Sequence, residues 1–149
     1  MQKIMFDTHI FDKLPNVIEK VKKSIDIKYE VYVTSLQVEE LCNIPDLKKE
    51  KRCCCMIMLA DLRAKLVPTS VFLLGKGRLG YARLGVGEVY NKILNKSRNN
   101  INDALIADTA VFEKCILITD DKKLYQKMMN HSYPVMNFLT FIETLEDKT

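Results

Sequence analysis

The sequence predicts an α/β protein of three layers (α/β/α), with a central parallel sheet between two layers of helices. Short apolar runs rich in β-branched or aromatic residues alternate along the chain with stretches of helical spacing. This alternation is typical of βαβ units, whose right-handed crossovers place all the carboxyl ends of the strands at one edge of the sheet. The chain has 149 residues and no evident linker, so we expect a single domain over residues 1–149.

Five segments have the composition of strands. They are residues 2–6, 30–34, 70–74, 115–119 and 133–136. The second is the clearest, because Glu-Val-Tyr-Val-Thr is mostly β-branched and aromatic.

Helical spacing occupies most of the chain between these strands. The predicted helices are residues 11–24, 36–42, 46–66, 88–95, 101–112, 121–129 and 139–145. Ser35 is the expected cap of the second helix, and Pro68 stops the third. The apolar stripe expected to be buried in that third helix is Leu47, Cys54, Ile57, Met58, Leu62 and Leu66. The residues expected to face inward from helix 101–112 are Ile101, Leu105, Ile106, Thr109 and Phe112.

The five cysteines are not spaced like a metal site or a disulfide framework. Three of them, Cys53, Cys54 and Cys55, are adjacent in a predicted helix, where successive side chains point about 100° apart. We therefore expect reduced and mostly buried cysteines. The chain shows neither a signal peptide nor an apolar run long enough to span a membrane, which favours a cytoplasmic protein without a membrane partner.

Basic residues are concentrated in one part of the chain. The segment contains Lys76, Arg78, Arg83, Lys92, Lys96 and Arg98, against the single acid Glu88. With a net charge of +4, this segment suits a polyanionic substrate, and Arg78, Arg83, Lys92 and Arg98 are the candidates for contacts with a nucleic-acid backbone. A solvated loop and helix face is an equally open interpretation. The G-x-G-x-x-G at residues 75–80 is not taken as a dinucleotide site, because no acid follows about twenty residues on.

Carboxylates occur where the predicted strands end and the predicted helices begin. Asp7 directly follows the first strand, Asp121 follows the fourth, Asp103 lies in the first turn of helix 101–112, and Glu40 lies in the short helix after the second strand. Each alone could be a helix cap or a charge that favours a helix dipole. Together they fall at the edge where parallel sheets form their sites. Asp120 is an alternative to Asp121, and Asp108 a further accessory candidate.

Several carboxylates at one point repel one another and raise one another's pKa. A shared Mg²⁺ or Mn²⁺ ion, which prefers oxygen ligands, removes that conflict. The sequence therefore predicts a divalent cation as cofactor.

These motifs together resemble the PIN-domain family of nucleases, over residues 1 to about 145. The resemblance is carried by Asp7-Thr8 after a strand, by Tyr32-Val-Thr-Ser35 leading to Glu40-Leu41, and most specifically by Asp103-Ala-Leu-Ile-Ala-x-x-Ala110 followed by Ile116-Leu-Ile-Thr119-x-Asp121. Three departures are visible, of which one is the Gly75–Gly87 segment with its doubled Arg-Leu-Gly, unlike the common toxin members. Asp120 duplicates the fourth acid, and Asp108 occupies a position that is usually small and apolar.

The resemblance implies a Mg²⁺- or Mn²⁺-dependent endoribonuclease of the toxin or RNA-processing type. Its catalytic and metal-binding acids would be Asp7, Glu40, Asp103 and Asp121, and the hydroxyl of Thr119 would help to orient the site. The implied partners are RNA and, for a toxin, an antitoxin-type protein; a homodimer stays open.

Two other functions are compatible with the residues. One is a PIN-like module that binds nucleic acid with weak or no turnover, although no acid of the set is replaced by asparagine. The other is a receiver-like domain whose acids serve phosphoryl chemistry. That domain would need paired acids after the first strand, and Asp7 has no acidic neighbour.

Overall fold

The computed structural model shows a central sheet of five parallel strands, and it describes residues 1–25, 27–76, 80–94 and 100–146. The strands are β1 (Gln2–Phe6), β2 (Tyr29–Thr34), β3 (Lys65–Val67), β4 (Ile116–Ile118) and β5 (Val135–Met136). Their order across the sheet is β3-β2-β1-β4-β5, and every pair is parallel. The predicted α/β class with a parallel central sheet is confirmed.

Helices connect the strands. In the described part of the chain they are α1 (Ile18–Ser24), α2 (Ser35–Cys42), α3 (Lys49–Asp61), α4 (Glu88–Leu94), α5 (Ile101–Phe112), α6 (Lys122–Asn130) and α7 (Phe138–Glu146). Short 3-10 turns at Thr8–Asp12 and Leu14–Asn16 precede α1, and another at Asp46–Lys48 precedes α3. None of these helices combines the length and apolar character that crossing a bilayer requires.

The side chains of β1 alternate between two apolar clusters, one on each face of the sheet. Ile4 and Phe6 belong to a cluster completed by α1, α3 and α7. Met5 belongs to the other cluster, which α4, α5 and α6 complete. This alternation follows from the two-residue period of a strand and produces the three layers α/β/α.

The order of the strands reverses next to β1. The chain passes from β1 to β2 and β3 on one side, then crosses to β4 and β5 on the other. In open parallel sheets, the crevice outside the carboxyl ends of the strands at such a switch point is where ligands bind. Asp7 follows β1, and Thr119, Asp120 and Asp121 follow β4, so these residues border that crevice.

The third strand and the helix before it were predicted wrongly. Residues 70–74 form no strand, and β3 lies instead at Lys65–Val67, within the predicted helix 46–66. Of the predicted buried stripe, Met58 and Leu62 are buried, whereas Leu47 is fully exposed and Ile57 and Leu66 are more than half exposed. Phe112 at the end of α5 is likewise 55% exposed and does not face inward as expected.

Two local predictions also need correction. The cap of α2 is Thr34 and not Ser35: Thr34 Oγ1 accepts from the Gln37 N–H, and the Gln37 side chain accepts from the Thr34 N–H. This reciprocal capping box fixes α2 at the end of β2. All five cysteines are free, but they are not mostly buried, because Cys42 and Cys53 are exposed and Cys54 is only partly covered.

Candidate functional site

Three of the predicted acids line one cavity at the carboxyl edge of the sheet. Asp7, Glu40 and Asp103 surround a space of about 280 Å³ together with Thr8 and His9. They come from the end of β1, from α2 and from the first turn of α5. We call this space the acid pocket. Parallel topology brings these residues together although they are far apart in the sequence.

Asp7 is the most deeply buried of these acids, with only 2% of the residue exposed. Its Oδ2 accepts a hydrogen bond of 2.7 Å from Thr119 Oγ1, and its side chain does not cap the 3-10 turn that follows. Burial raises the pKa of Asp7, and the Thr119 hydrogen bond opposes that rise. The cap interpretation of Asp7 is therefore wrong, and Thr119 holds the carboxylate as the resemblance implied.

Glu40 is held by two donors. Its Oε2 accepts from Thr8 Oγ1 at 2.6 Å, and its Oε1 accepts from Asn102 Nδ2 at 2.5 Å. The Asn102 Oδ1 atom is buried and, within the described residues, has no hydrogen-bond partner. An unpaired buried oxygen beside a carboxylate is costly unless a donor or a cation occupies the space.

Asp103 is the most perturbed acid of the site. Burial, followed by the nearby charges of Asp7, Asp121 and Glu40, raises the pKa of Asp103 to about 6. In the described part of the chain, its carboxylate accepts no hydrogen bond. A half-buried carboxylate that three other acids destabilise is a binding group for a cation or a proton.

The structure separates Asp121 from Asp120. Asp121 Oδ1 caps α6 by accepting from the N–H groups of Lys123 and Leu124, and the same carboxylate still acts on Asp103 and Asp7 through its charge. Asp120 turns away: its Oδ2 pairs with Lys13 at 2.5 Å, and its Oδ1 accepts from the Phe138 N–H. Of the two, Asp121 is the acid whose charge acts on the carboxylates of the acid pocket, although its side chain does not line that cavity.

Asp108 lies outside the acid pocket. It is buried, and its two oxygens accept hydrogen bonds from Ser70 Oγ and from the Tyr90 N–H. Tyr90 is in the first turn of α4, where backbone N–H groups have no intrahelical acceptor. These contacts give Asp108, which was a candidate for an accessory role, a structural role outside the acid pocket.

The two described residues of the expected basic surface, Arg83 and Lys92, do not line the acid pocket. Arg83 pairs with Glu113 at 2.5 Å and covers the Phe112 ring, about 14 Å along the axis of α5 from Asp103. Lys92 pairs with Glu88 one turn away on α4. Arg78 and Arg98, the other two predicted contacts, lie outside the described residues.

No role was predicted for two side chains of the site, although Thr8 belongs to the Asp7-Thr8 motif. Thr8 and Asn102 both hold Glu40, and each is the immediate neighbour of a predicted acid, Asp7 or Asp103. A polar residue that adjoins a candidate ligand at the start of a turn or helix is a signal that would have pointed to them.

The donor set fits a hard divalent cation in its chemistry, since carboxylate and amide oxygens are the ligands that Mg²⁺ and Mn²⁺ prefer. The raised pKa of Asp103 and the unpaired Asn102 Oδ1 atom agree with this fit. As they stand, however, no three Asp, Glu, His or Cys side chains of the described residues form a group that could hold a metal ion. Binding would require the carboxylates to draw closer together.

No protein-family model matches this chain, and no curated protein is significantly similar to it in sequence.

Proposed function

We propose that this protein is a Mg²⁺- or Mn²⁺-dependent endoribonuclease. The observation that carries the proposal is the acid pocket, where Asp7, Glu40 and Asp103 converge and where the neighbouring charges, that of Asp121 included, raise the pKa of Asp103. The PIN-like motifs supply the reaction class, hydrolysis of phosphodiester bonds in RNA.

The residues that would hold a cation are the four acids, with Asn102 Oδ1 as an additional oxygen. A divalent cation supplies charge neutralisation at a scissile phosphate and activation of the attacking water. The protein's own groups fix the ligands beforehand. Thr119 holds Asp7, whereas Thr8 and Asn102 hold Glu40, so two carboxylates are oriented before any ligand arrives.

The remaining parts of the proposal concern partners. RNA is the proposed substrate and the cytoplasm the proposed compartment. For a protein of the toxin type, an antitoxin-type protein would be the partner. Homodimer formation is tested by size-exclusion chromatography with light scattering.

The experiment is cleavage of a labelled single-stranded RNA by the full chain, in Mn²⁺, in Mg²⁺ and in EDTA. We expect cleavage in the presence of either ion and none in EDTA. Two adjacent residues give a matched pair of variants. Asp121→Asn, which keeps a residue able to cap α6, should lose activity. Asp120→Asn should retain the kcat, because Asp120 pairs with Lys13 and the Phe138 N–H and is not among the charges that raise the pKa of Asp103. Cleavage that persists in EDTA contradicts the proposal. A kcat that is lowered by Asp120→Asn and not by Asp121→Asn also contradicts it.

One observation favours a second candidate, a PIN-like module that binds nucleic acid with weak or no turnover. It is the separation of the acids, because no three of the described potential ligands lie close enough to hold an ion as they stand. That function predicts RNA binding by the wild-type protein with no products in Mn²⁺, Mg²⁺ or EDTA.

A further inference from the structure

A second cavity lies beside the acid pocket at the same edge of the sheet. It measures about 510 Å³, within the range of about 300–1,000 Å³ typical of small-molecule sites. Residues that line it include Lys13, Thr119, Lys122, Tyr125 and Asn137. We call it the lysine–tyrosine cavity.

The two cavities share a wall. Thr119 lines the lysine–tyrosine cavity, and its hydroxyl donates to Asp7 in the acid pocket at 2.7 Å. The adjacent residues Asp12 and Lys13 line the acid pocket and the lysine–tyrosine cavity, respectively. The two cavities are therefore neighbours at the carboxyl edge of the sheet.

The chemistry of the second cavity is the opposite of that of the first. Its single carboxylate, Asp120, is paired with Lys13 at 2.5 Å. Lys122 is exposed and, in the part of the chain that the structure describes, forms no ion pair. The side-chain Oδ1 atom of Asn137 accepts from the Thr140 N–H at 2.8 Å, which leaves the side-chain Nδ2 donors for a ligand.

Tyr125 adds an aromatic ring to the basic side chains of the lysine–tyrosine cavity. It lies one turn along α6 from Lys122, is half-buried and lines the same cavity. An aromatic face stacks on any base, and an ammonium group binds a phosphate, which is the combination that single-stranded nucleic-acid sites use.

We propose that the lysine–tyrosine cavity is a nucleotide subsite, which binds the nucleotide next to the scissile phosphate of a single-stranded RNA. The inference rests on the proposed nuclease function, because a scissile phosphate exists only if the protein cleaves RNA. Binding of the nucleotide itself requires no catalysis. Tyr125 stacks on the base, Lys122 contacts its phosphate, and Asn137 donates to the base or the sugar.

The test is the affinity of the full-length protein for a short fluorescein-labelled oligouridylate, measured by anisotropy in EDTA. Tyr125→Ala should weaken binding about tenfold, as expected for the loss of one stacked base, whereas Tyr125→Phe should bind like the wild type. Lys122→Ala should weaken binding and reduce the slope of log K against log salt by about 0.7. Lys123→Ala is the matched control, because Lys123 is exposed on the same helix and does not line the cavity.

Equal effects of Lys122→Ala and Lys123→Ala, or unchanged affinity in Tyr125→Ala, would overturn the subsite. Cleavage of the same oligonucleotide in Mn²⁺ separates the two proposals. If the variants raise KM and leave kcat unchanged, both stand. If the wild-type protein binds as expected but never cleaves, the subsite stands and the nuclease falls. If it cleaves with the same KM in every variant, the nuclease stands and the subsite falls.

Discussion

The two aspartates of α5 occupy opposite situations five residues apart. Asp108 is 6% exposed and accepts hydrogen bonds from Ser70 and from the backbone of Tyr90. Asp103 is less buried, yet its pKa is raised to about 6 and no donor of the described residues satisfies it. The acid that the fold buries more deeply is thus the better accommodated of the two.

The difference shows that burial alone does not identify a functional carboxylate. A buried charge whose oxygens are all hydrogen-bonded stabilises the structure that surrounds it. A carboxylate that lies among other carboxylates and accepts no hydrogen bond destabilises the protein until it binds a cation or a proton.

The largest expected effect is that of Asp103→Asn on catalysis. We expect RNA cleavage in Mn²⁺ to fall more than about 100-fold, since even residues that only support a metal ligand typically contribute 10- to 100-fold. Mn²⁺ binding, measured by calorimetry, should weaken in parallel. Asp61→Asn, at the end of α3, is the control and should behave like the wild type. Full activity in Asp103→Asn would remove Asp103 from the ligand set.

Asp108→Ala should instead act on stability. It leaves the Tyr90 N–H and the Ser70 hydroxyl without their acceptor in a buried place, so we expect a loss of about 2–4 kcal/mol in the free energy of unfolding. Urea denaturation followed by circular dichroism measures it. A loss below about 0.5 kcal/mol would mean that these hydrogen bonds contribute little.

The sequence distinguished the two aspartates only in part. The partners of Asp108 are 38 and 18 residues away, on a segment we had predicted as a strand and on α4. Residues 70–74 have the composition of a strand, but Ser70 is used to fix that segment to α5 through Asp108 and Thr109. The actual strand β3 has three residues at the sheet's edge, too few to show a pattern.

The candidate site was easier to predict than its surroundings. Asp7 and Asp121 come after strands that end in apolar residues, and parallel topology alone brings such positions to one edge. What the sequence could not decide was the direction of neighbouring side chains. Asp120 turns away because Lys13, 107 residues distant, lies opposite it, and Arg83 is drawn to Glu113. Such long-range partners leave no local signal.

The next largest expected effect is the loss of activity in Thr119→Val, which we compare with Thr109→Val. Thr119→Val removes the hydroxyl that donates to Asp7, so we expect activity to fall 10- to 100-fold while the protein stays folded. Thr119→Ser keeps the donor and should recover most of the activity. Thr109 next to Asp108 donates to the Leu105 carbonyl at 2.7 Å and accepts from the Ser70 N–H. Thr109→Val should lower stability without changing the rate per folded molecule, and an equal loss of rate in both valine variants would contradict the contrast.

The smallest effect is on the stability of the protein without metal. The pKa of Asp103 is about 6 in the folded state and 3.8 in a model compound, so the folded state binds more protons between these values. The free energy of unfolding therefore falls as pH rises through this window, and the destabilisation is complete above about pH 6. The raised pKa of Asp7 also lowers the free energy of unfolding as pH rises, and this effect persists in Asp103→Asn.

Asp103→Asn should consequently be more stable than the wild type by about 1 kcal/mol at pH 7 in EDTA, after allowance for solvent screening of a half-buried group. The advantage should vanish near pH 4, where the wild-type carboxyl is protonated. Added Mn²⁺ should raise the melting temperature of the wild type more than that of the variant, because the ion replaces the missing partner. Thermal unfolding across this pH range, with and without Mn²⁺, provides the measurement. A variant less stable than the wild type at pH 7 in EDTA would show that Asp103, like Asp108, already has its partners within the fold.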